Sequence, residues 1–337
     1  MNKFILYLFC TGVSVGIVQA QDIKTLRDSA RILMQKSAFD NAIQVLDQAL
    51  KESPDNLELL KDKAFAFYLK RDFASSIEIG KKLAARADGD VQSFQILGMN
   101  YKEIAAYKES DKMYKAALKK FPKSGLLYSE YGAVLAANKE TNEAIQQWEK
   151  GIENDPNNSS NYYYASKYYA SKNNFLWTVL YGEIFVDIES FSQRTAEIKN
   201  VLFNGYQKIF SQLDILKNLS SKGSEFEKAV AGMLVKYIET IDNNITPEML
   251  TAVRTRFVLD WFQQYAQNFP FHLFDHQLFL LQEGYFDAYN QWLFGPSADM
   301  QKYNDWVNAN TDDVKAFQKL QQNYIFKNST SSYYPHN

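Results

Sequence analysis

Cysteine is almost absent from this chain. Its 337 residues include one, Cys10, so no disulfide can form within the chain and stability must come from packing. Histidine is scarce as well, with three residues, of which His272 and His276 are neighbours in sequence. Seven prolines and fourteen glycines are spread thinly. They build neither a glycine-rich phosphate-binding loop nor a Gly-x-Ser-x-Gly nucleophile elbow. Charge of one sign is missing too: the net is −2. That excludes the broad basic field by which nucleic-acid binders are usually recognised. After residue 20 no apolar run approaches the roughly 18 residues of a membrane-spanning helix.

The N-terminus is the apolar exception. Lys3 precedes a run from Phe4 to Val18, and Val18-Gln19-Ala20 offers a small-residue cleavage pattern before Gln21. The run is shorter than the about 20 residues that cross a bilayer. Residues 1–20 therefore read as a signal peptide, and the expected location is the periplasm or cell envelope, with secretion the further option. Tyr7, Leu8 and Phe9 are too bulky for a lipid attachment site at Cys10.

What is abundant is helical periodicity. Tyr128, Tyr131, Gly132 and Leu135 fall at i, i+3, i+4, i+7, one face of a helix. Asn138 supplies a turn. Ala144, Trp148 and Gly151 stripe a second helix, which Asp155-Pro156 ends by pushing the backbone out of the α region. One period of 34 residues earlier come Phe94, Leu97, Gly98, Tyr101, Ser110, Tyr114, Ala117 and Pro122. Another period back come Leu60, Ala64, Phe67, Phe73, Ser76 and Leu83, with Asp88 in the proline position. The first copy carries Leu26, Ala30, Leu33, Phe39, Ala42, Leu46, Ala49 and Pro54.

Four copies in one frame resemble the tetratricopeptide repeat. The resemblance implies an all-α solenoid of helical hairpins, with units at 23–56, 57–90, 91–124 and 125–158. A weaker fifth, 159–192, has Gly182 where Trp148 stands in the fourth and Ser190 in place of the proline. Atypical terminal repeats are common where the last face meets something else, and here that is the helical region 193–337. The composition and aromatic-rich C-terminal part also resemble secreted repeat proteins of Bacteroidetes.

Residues 193–337 carry no clean repeat, although degenerate ones can continue through Glu283–Ala288. Helices are expected over 196–219, 224–241, 246–269, 276–294, 299–309 and 312–326, with a polar, frayed tail from Asn328. Thr246-Pro247-Glu248 is a helix start, with a hydroxyl cap and proline in the first turn. The dense aromatics from Phe257 to Phe294 have the spacing of a helix–helix core.

In the repeat family the first helices of the hairpins line a concave, ligand-holding face. The resemblance implies a groove centred on Arg27, Arg31, Lys61, Phe65, Tyr68 and Met99, basic at its N-terminal end and aromatic in the middle. Repeat four contributes little to it, because Ala133 and Ala136 leave its face bare. A clamp of lysines and asparagines for a C-terminal carboxylate is not kept: Arg31, Asp62, Gln92 and Ile96 break it. No zinc-protease spacing surrounds His272 and His276. The expectation is a noncatalytic scaffold or adaptor for a protein or peptide, with no cofactor, no metal and no nucleic acid. The alternative is a structural subunit of an envelope complex, docking through its aromatic C-terminal region.

Overall fold

The computed structural model describes residues 11–238 and 245–329, all side chains but those of 11–21 included. The described residues hold eighteen helices and no strand. Residues 1–10 of the expected signal peptide lie outside them. Residues 11–20 form the first turns of α1 (Thr11–Gln35).

The hairpins follow the sequence frame. α1 pairs with α2 (Phe39–Glu52), α3 (Leu57–Leu69) with α4 (Phe73–Ala85), and α5 (Val91–Glu103) with α6 (Tyr107–Lys120). Next come α7 (Gly125–Ala137) with α8 (Thr141–Asn154), and α9 (Ser159–Ser171) with α10 (Phe175–Ile188). Side chains cap several helix starts: Asn56 accepts from the Glu58 and Leu59 amides, Asp72 from Ser75 and Asp90 from Ser93. Each hairpin turns on one left-handed residue. These are Ser37, Arg71, Ala105, Lys139 and Asn173, with φ of 58°, 66°, 52°, 68° and 58°, every 34th residue of the chain. The amide that follows each of them donates back five residues, as Ala106 does to Tyr101 at 2.8 Å. This closes the helix end by the Schellman pattern.

The chain forms two compact units, residues 1–122 and 123–337. The division falls between the third and fourth repeats, whereas the repeat pattern alone changes at 192/193. In the first unit Ala30, Ala42, Leu46, Ala49 and Leu59 are fully buried between hairpins. Small residues on one helix receive large ones from the next, which sets the close packing of the stack.

The second unit contains α7–α10 and the C-terminal helices. These are α11 (Gln193–Ser211), α12 (Leu213–Lys222), α13 (Glu225–Ile238), α14 (Pro247–Gln264), α15 (His272–Gln282), α16 (Phe286–Ala298), α17 (Met300–Ala309) and α18 (Thr311–Asn323). Gly132 lies directly under the Trp148 indole; a Cβ there would stand 2.2 Å from Nε1. That nitrogen donates to the Ser129 carbonyl at 3.2 Å. α10 is buried on every side from Phe175 to Asp187, because α9 and α11 flank it. Thr246 caps α14 as the sequence predicts.

Three expectations need correction. The expected helix 196–219 breaks at Gln212 into α11 and α12. The expected helix 276–294 is two helices, since Gly284 adopts φ +78° and Tyr285 donates to the Leu280 carbonyl at 2.8 Å. That is the same turn as in the five repeats, so α15 and α16 form a sixth hairpin of the same kind. Finally, α18 ends at Asn323, and Asn328 is buried and hydrogen-bonded rather than frayed. Residues 239–244 and 330–337 are outside the described residues.

Candidate functional site

The predicted groove residues all belong to the first unit. Arg27 and Arg31 lie one turn apart on α1, Lys61, Phe65 and Tyr68 share α3, and Met99 is half-buried on α5. The helix-surface spacings of three and four put the members of each set on one face.

The three cations are not free. Arg27 Nε donates to Asp62 Oδ2 at 2.6 Å, and its Nη2 to Glu58. Arg31 Nε reaches the same Asp62 Oδ2 at 3.0 Å, and its Nη2 reaches Oδ1 at 3.2 Å. Lys61 Nζ meets Asp90 at 2.6 Å, Gln92 at 2.9 Å and Glu58 at 2.5 Å. Three acceptors use its three protons. Each cation thus points across to a carboxylate one repeat on, and the cluster reads as three positive charges against three negative. Sequence reasoning missed this neutralisation. Its signal is the acids Glu58 in the first turn of α3, Asp62 one turn further along it, and Asp90 at the cap of α5.

The energetics match the geometry. Burial opposes the charge of Arg27, and hydrogen bonds to Asp62 and Glu58 overcome it, holding the guanidinium above its ordinary value. Burial likewise opposes Lys61, and Asp90 and Glu58 raise it. Lys61 in turn lowers Glu58, against burial and with help from Arg27. Burial opposes the charge of Asp90 too, and Lys61 and Ser93 outweigh it to hold that carboxyl low.

Beside this ladder Phe65 and Tyr68 stack, centroids 6.0 Å apart and rings 16° from parallel. Tyr68 also meets Phe73 at 6.0 Å. Burial first, and then Glu103, raise its hydroxyl above the usual range. Both rings are half-buried. The arrangement offers an apolar, stackable patch edged by hydrogen-bonding groups without net charge.

A hollow of about 490 Å³ lies against α3 and α4, floored by Leu60, Phe67, Ile79 and Leu83. Its basic rim is also matched: Lys63 pairs with Asp47, Lys82 with Glu78 and Arg86 with Asp88.

The second unit holds a polar cluster that no local spacing announces. Arg254 is 2% exposed and binds Glu183 and Asn290 through its two terminal nitrogens. Gln277 donates to Glu183 at 2.8 Å. The Tyr289 hydroxyl lies 2.9 Å from Glu183 and 2.8 Å from Asp187. Burial, then the nearby Glu183 charge, push Asp187 well above the usual carboxylate range. Rings of Phe294, Phe286, Tyr289 and Tyr206 surround the guanidinium at 5.2–5.9 Å. His276, 8% exposed, is pushed down to about 4 by burial. His272 pairs with Asp275 at 3.7 Å instead of joining it. Among the described residues no three His, Cys, Asp or Glu side chains are grouped to hold a metal ion.

The tetratricopeptide repeat family model matches residues 27–91, which include five of the six groove positions and exclude Met99. A comparison with curated proteins found no match. Among solved structures, MamA (41 to the end) from Desulfovibrio magneticus RS-1 is 14% identical with a TM-score of 0.41, over 50% of this chain and 96% of its own. A thermophilic TPR protein from Thermus thermophilus is 16% identical with a TM-score of 0.45, over 53% of this chain and 98% of its own. YrrB, described as a TPR protein with an unusual peptide-binding site, is 17% identical with a TM-score of 0.38, over 56% and 96%. The matched stretch begins inside the first hairpin and runs through the second, so the similarity to the tetratricopeptide repeat falls where the 34-residue turn spacing is already established.

Proposed function

We propose that the chain is a noncatalytic scaffold that holds a protein or peptide partner on the first-helix face of its N-terminal repeats. The observation that carries this reading is the half-buried Phe65–Tyr68 stack beside the Arg27–Arg31–Lys61 ladder. Aromatic anchors beside fixed polar groups are the composition of binding hot spots. A preformed face also spares the partner most of the ordering cost of binding. Because the ladder is internally neutral, the partner is selected by an apolar anchor and hydrogen bonds, with Arg31, the most exposed cation, contributing at the edge.

The apolar run Phe4–Val18 and the Val18-Gln19-Ala20 pattern support export to the cell envelope. N-terminal sequencing of the protein from an envelope fraction should begin at Gln21; a start at Met1 would overturn that part. The docking alternative has less support. The aromatic rings from Phe257 to Phe294 are mostly buried or half-buried within the second unit.

The binding test is capture from envelope extract by the wild-type chain, by Phe65→Ala/Tyr68→Ala and by Arg31→Ala. Circular dichroism melts check that each variant is folded. The double variant should lose the captured partner and Arg31→Ala should weaken capture. Undiminished capture by a folded double variant sinks the reading.

A further inference from the structure

The segment after α18 is held as a peptide ligand is held. From Tyr324 to Ser329 it is neither helix nor strand. Phe326 is 4% exposed and Asn328 8%, while Ile325 and Lys327 face outward. This alternation is that of an extended chain docked along one side.

Its two inward residues are read by different chemistry. The Phe326 ring lies 5.2 Å from the His276 imidazole, which itself stacks on Tyr324 at 5.5 Å and 3°. Asn157 reads the backbone of Asn328 from both sides: its Oδ1 accepts the Asn328 amide at 2.9 Å, and its Nδ2 donates to the Asn328 carbonyl at 3.2 Å. The Asn328 side chain donates to the Tyr162 hydroxyl at 2.8 Å. That hydroxyl is aimed by its own bond to the Pro156 carbonyl at 3.0 Å. Main-chain pairing that gives affinity and an alternate side-chain pocket that gives selectivity are the two parts of extended-peptide recognition.

The segment fills this site imperfectly. A small cavity beside Phe326 is lined also by Asp187, His276, Tyr289 and Phe317. Asp187 Oδ2 and His276 Nδ1 are buried there and take no hydrogen bond from any described residue.

We propose that this face of the second unit is a recognition site for an extended aromatic-x-Asn segment of a partner protein, occupied in cis by Phe326–Asn328. The partner segment enters when the chain's own segment lifts away. The reading is independent of the groove on α1, α3 and α5, and neither test bears on the other.

The probe is a fluorescein-labelled peptide Tyr-Ile-Phe-Lys-Asn-Ser, matching residues 324–329, followed by anisotropy. It is added to the wild-type full chain and to full-length Phe326→Ala/Asn328→Ala, whose own segment has lost its anchors. A second form carries a protease site after Asn323, cut once the protein has folded, and serves if the double variant melts abnormally. The opened forms should bind the peptide at least tenfold tighter than the wild type. Adding Asn157→Ala to either should remove that gain, as should alanine at the peptide's Phe or Asn. Equal binding by folded opened and closed forms overturns the proposal, and so do alanine peptides that bind as well as the parent. A chain that instead exchanges segments with a second copy, running as a dimer that takes up no peptide, also overturns it.

Discussion

Five non-glycine residues sit in the left-handed region because the hairpin turn requires it, and of the five only Asn173 has a side chain that favours it. For Ala105, at φ 52°, the clash of Cβ with the following carbonyl costs about 1–2 kcal/mol. Glycine avoids that clash but gives the unfolded chain more freedom, which takes back part of the gain. Ala105→Gly should therefore stabilise the first unit by about 0.5–1 kcal/mol, read as a higher urea midpoint at unchanged slope. A lower midpoint would mean that the Ala105 methyl group packs in a way that outweighs its backbone strain. Gly284 shows the other solution at the sixth turn. The turn residues also mark a limit of sequence reading. Ser, Arg, Ala, Lys and Asn share no side-chain chemistry, so only their spacing gives them away.

At the scale of helices, the hairpins are legible because each frame sets a small residue against a large one, as Gly132 under Trp148. The placement of Arg27, Arg31 and Lys61 on a shared face follows from the same frame. Their neutralisation does not, because the frame says where a side chain points and not what it meets on the next hairpin. Lys61 is the joint between α3 and α5. Lys61→Met keeps the stem and removes the charge, which takes from Asp90 its cation and leaves Glu58 with Arg27 alone. Both carboxylates are about 40% exposed and regain water, so the expected loss is about 1–2 kcal/mol at pH 7. Glu58 and Asp90 are held below their ordinary values. Their contribution is present above the unfolded carboxylate pKa and is lost as pH falls through the lowered folded values. The gap between wild type and Lys61→Met should thus be full at pH 7 and close progressively below about pH 4. Urea titrations of both proteins across that range measure it; a gap that stays constant into acid would show that Lys61 acts through packing alone.

The whole chain contains two ways of being stable. In the first unit the ties run between adjacent hairpins, as from Lys61 to Gln92. In the second they span the sequence: Glu183 meets Arg254 across 71 residues and Tyr289 across 106. No local periodicity encodes such pairs, which is why the fifth repeat looks like an end in sequence and lies inside the second unit. A chain cut after Ser192 strips the cover from α10, takes Arg254, Gln277 and Tyr289 from Glu183, and turns the apolar residues of that helix toward water. Each large apolar side chain that loses its cover in this way costs about 1.5–3 kcal/mol. Hydrogen exchange should then find the amides of Phe175–Asp187 unprotected in the truncated chain and strongly protected in the full one. Persistent protection would show the fifth repeat to be self-sufficient. The same distance has a meaning in time. At about 5–20 residues per second of synthesis, the 71 residues between Glu183 and Arg254 take roughly 4–14 seconds to appear. For that interval Glu183 on the nascent α10 waits without its counter-ion, so the packing around that helix cannot be completed until α14 has been made.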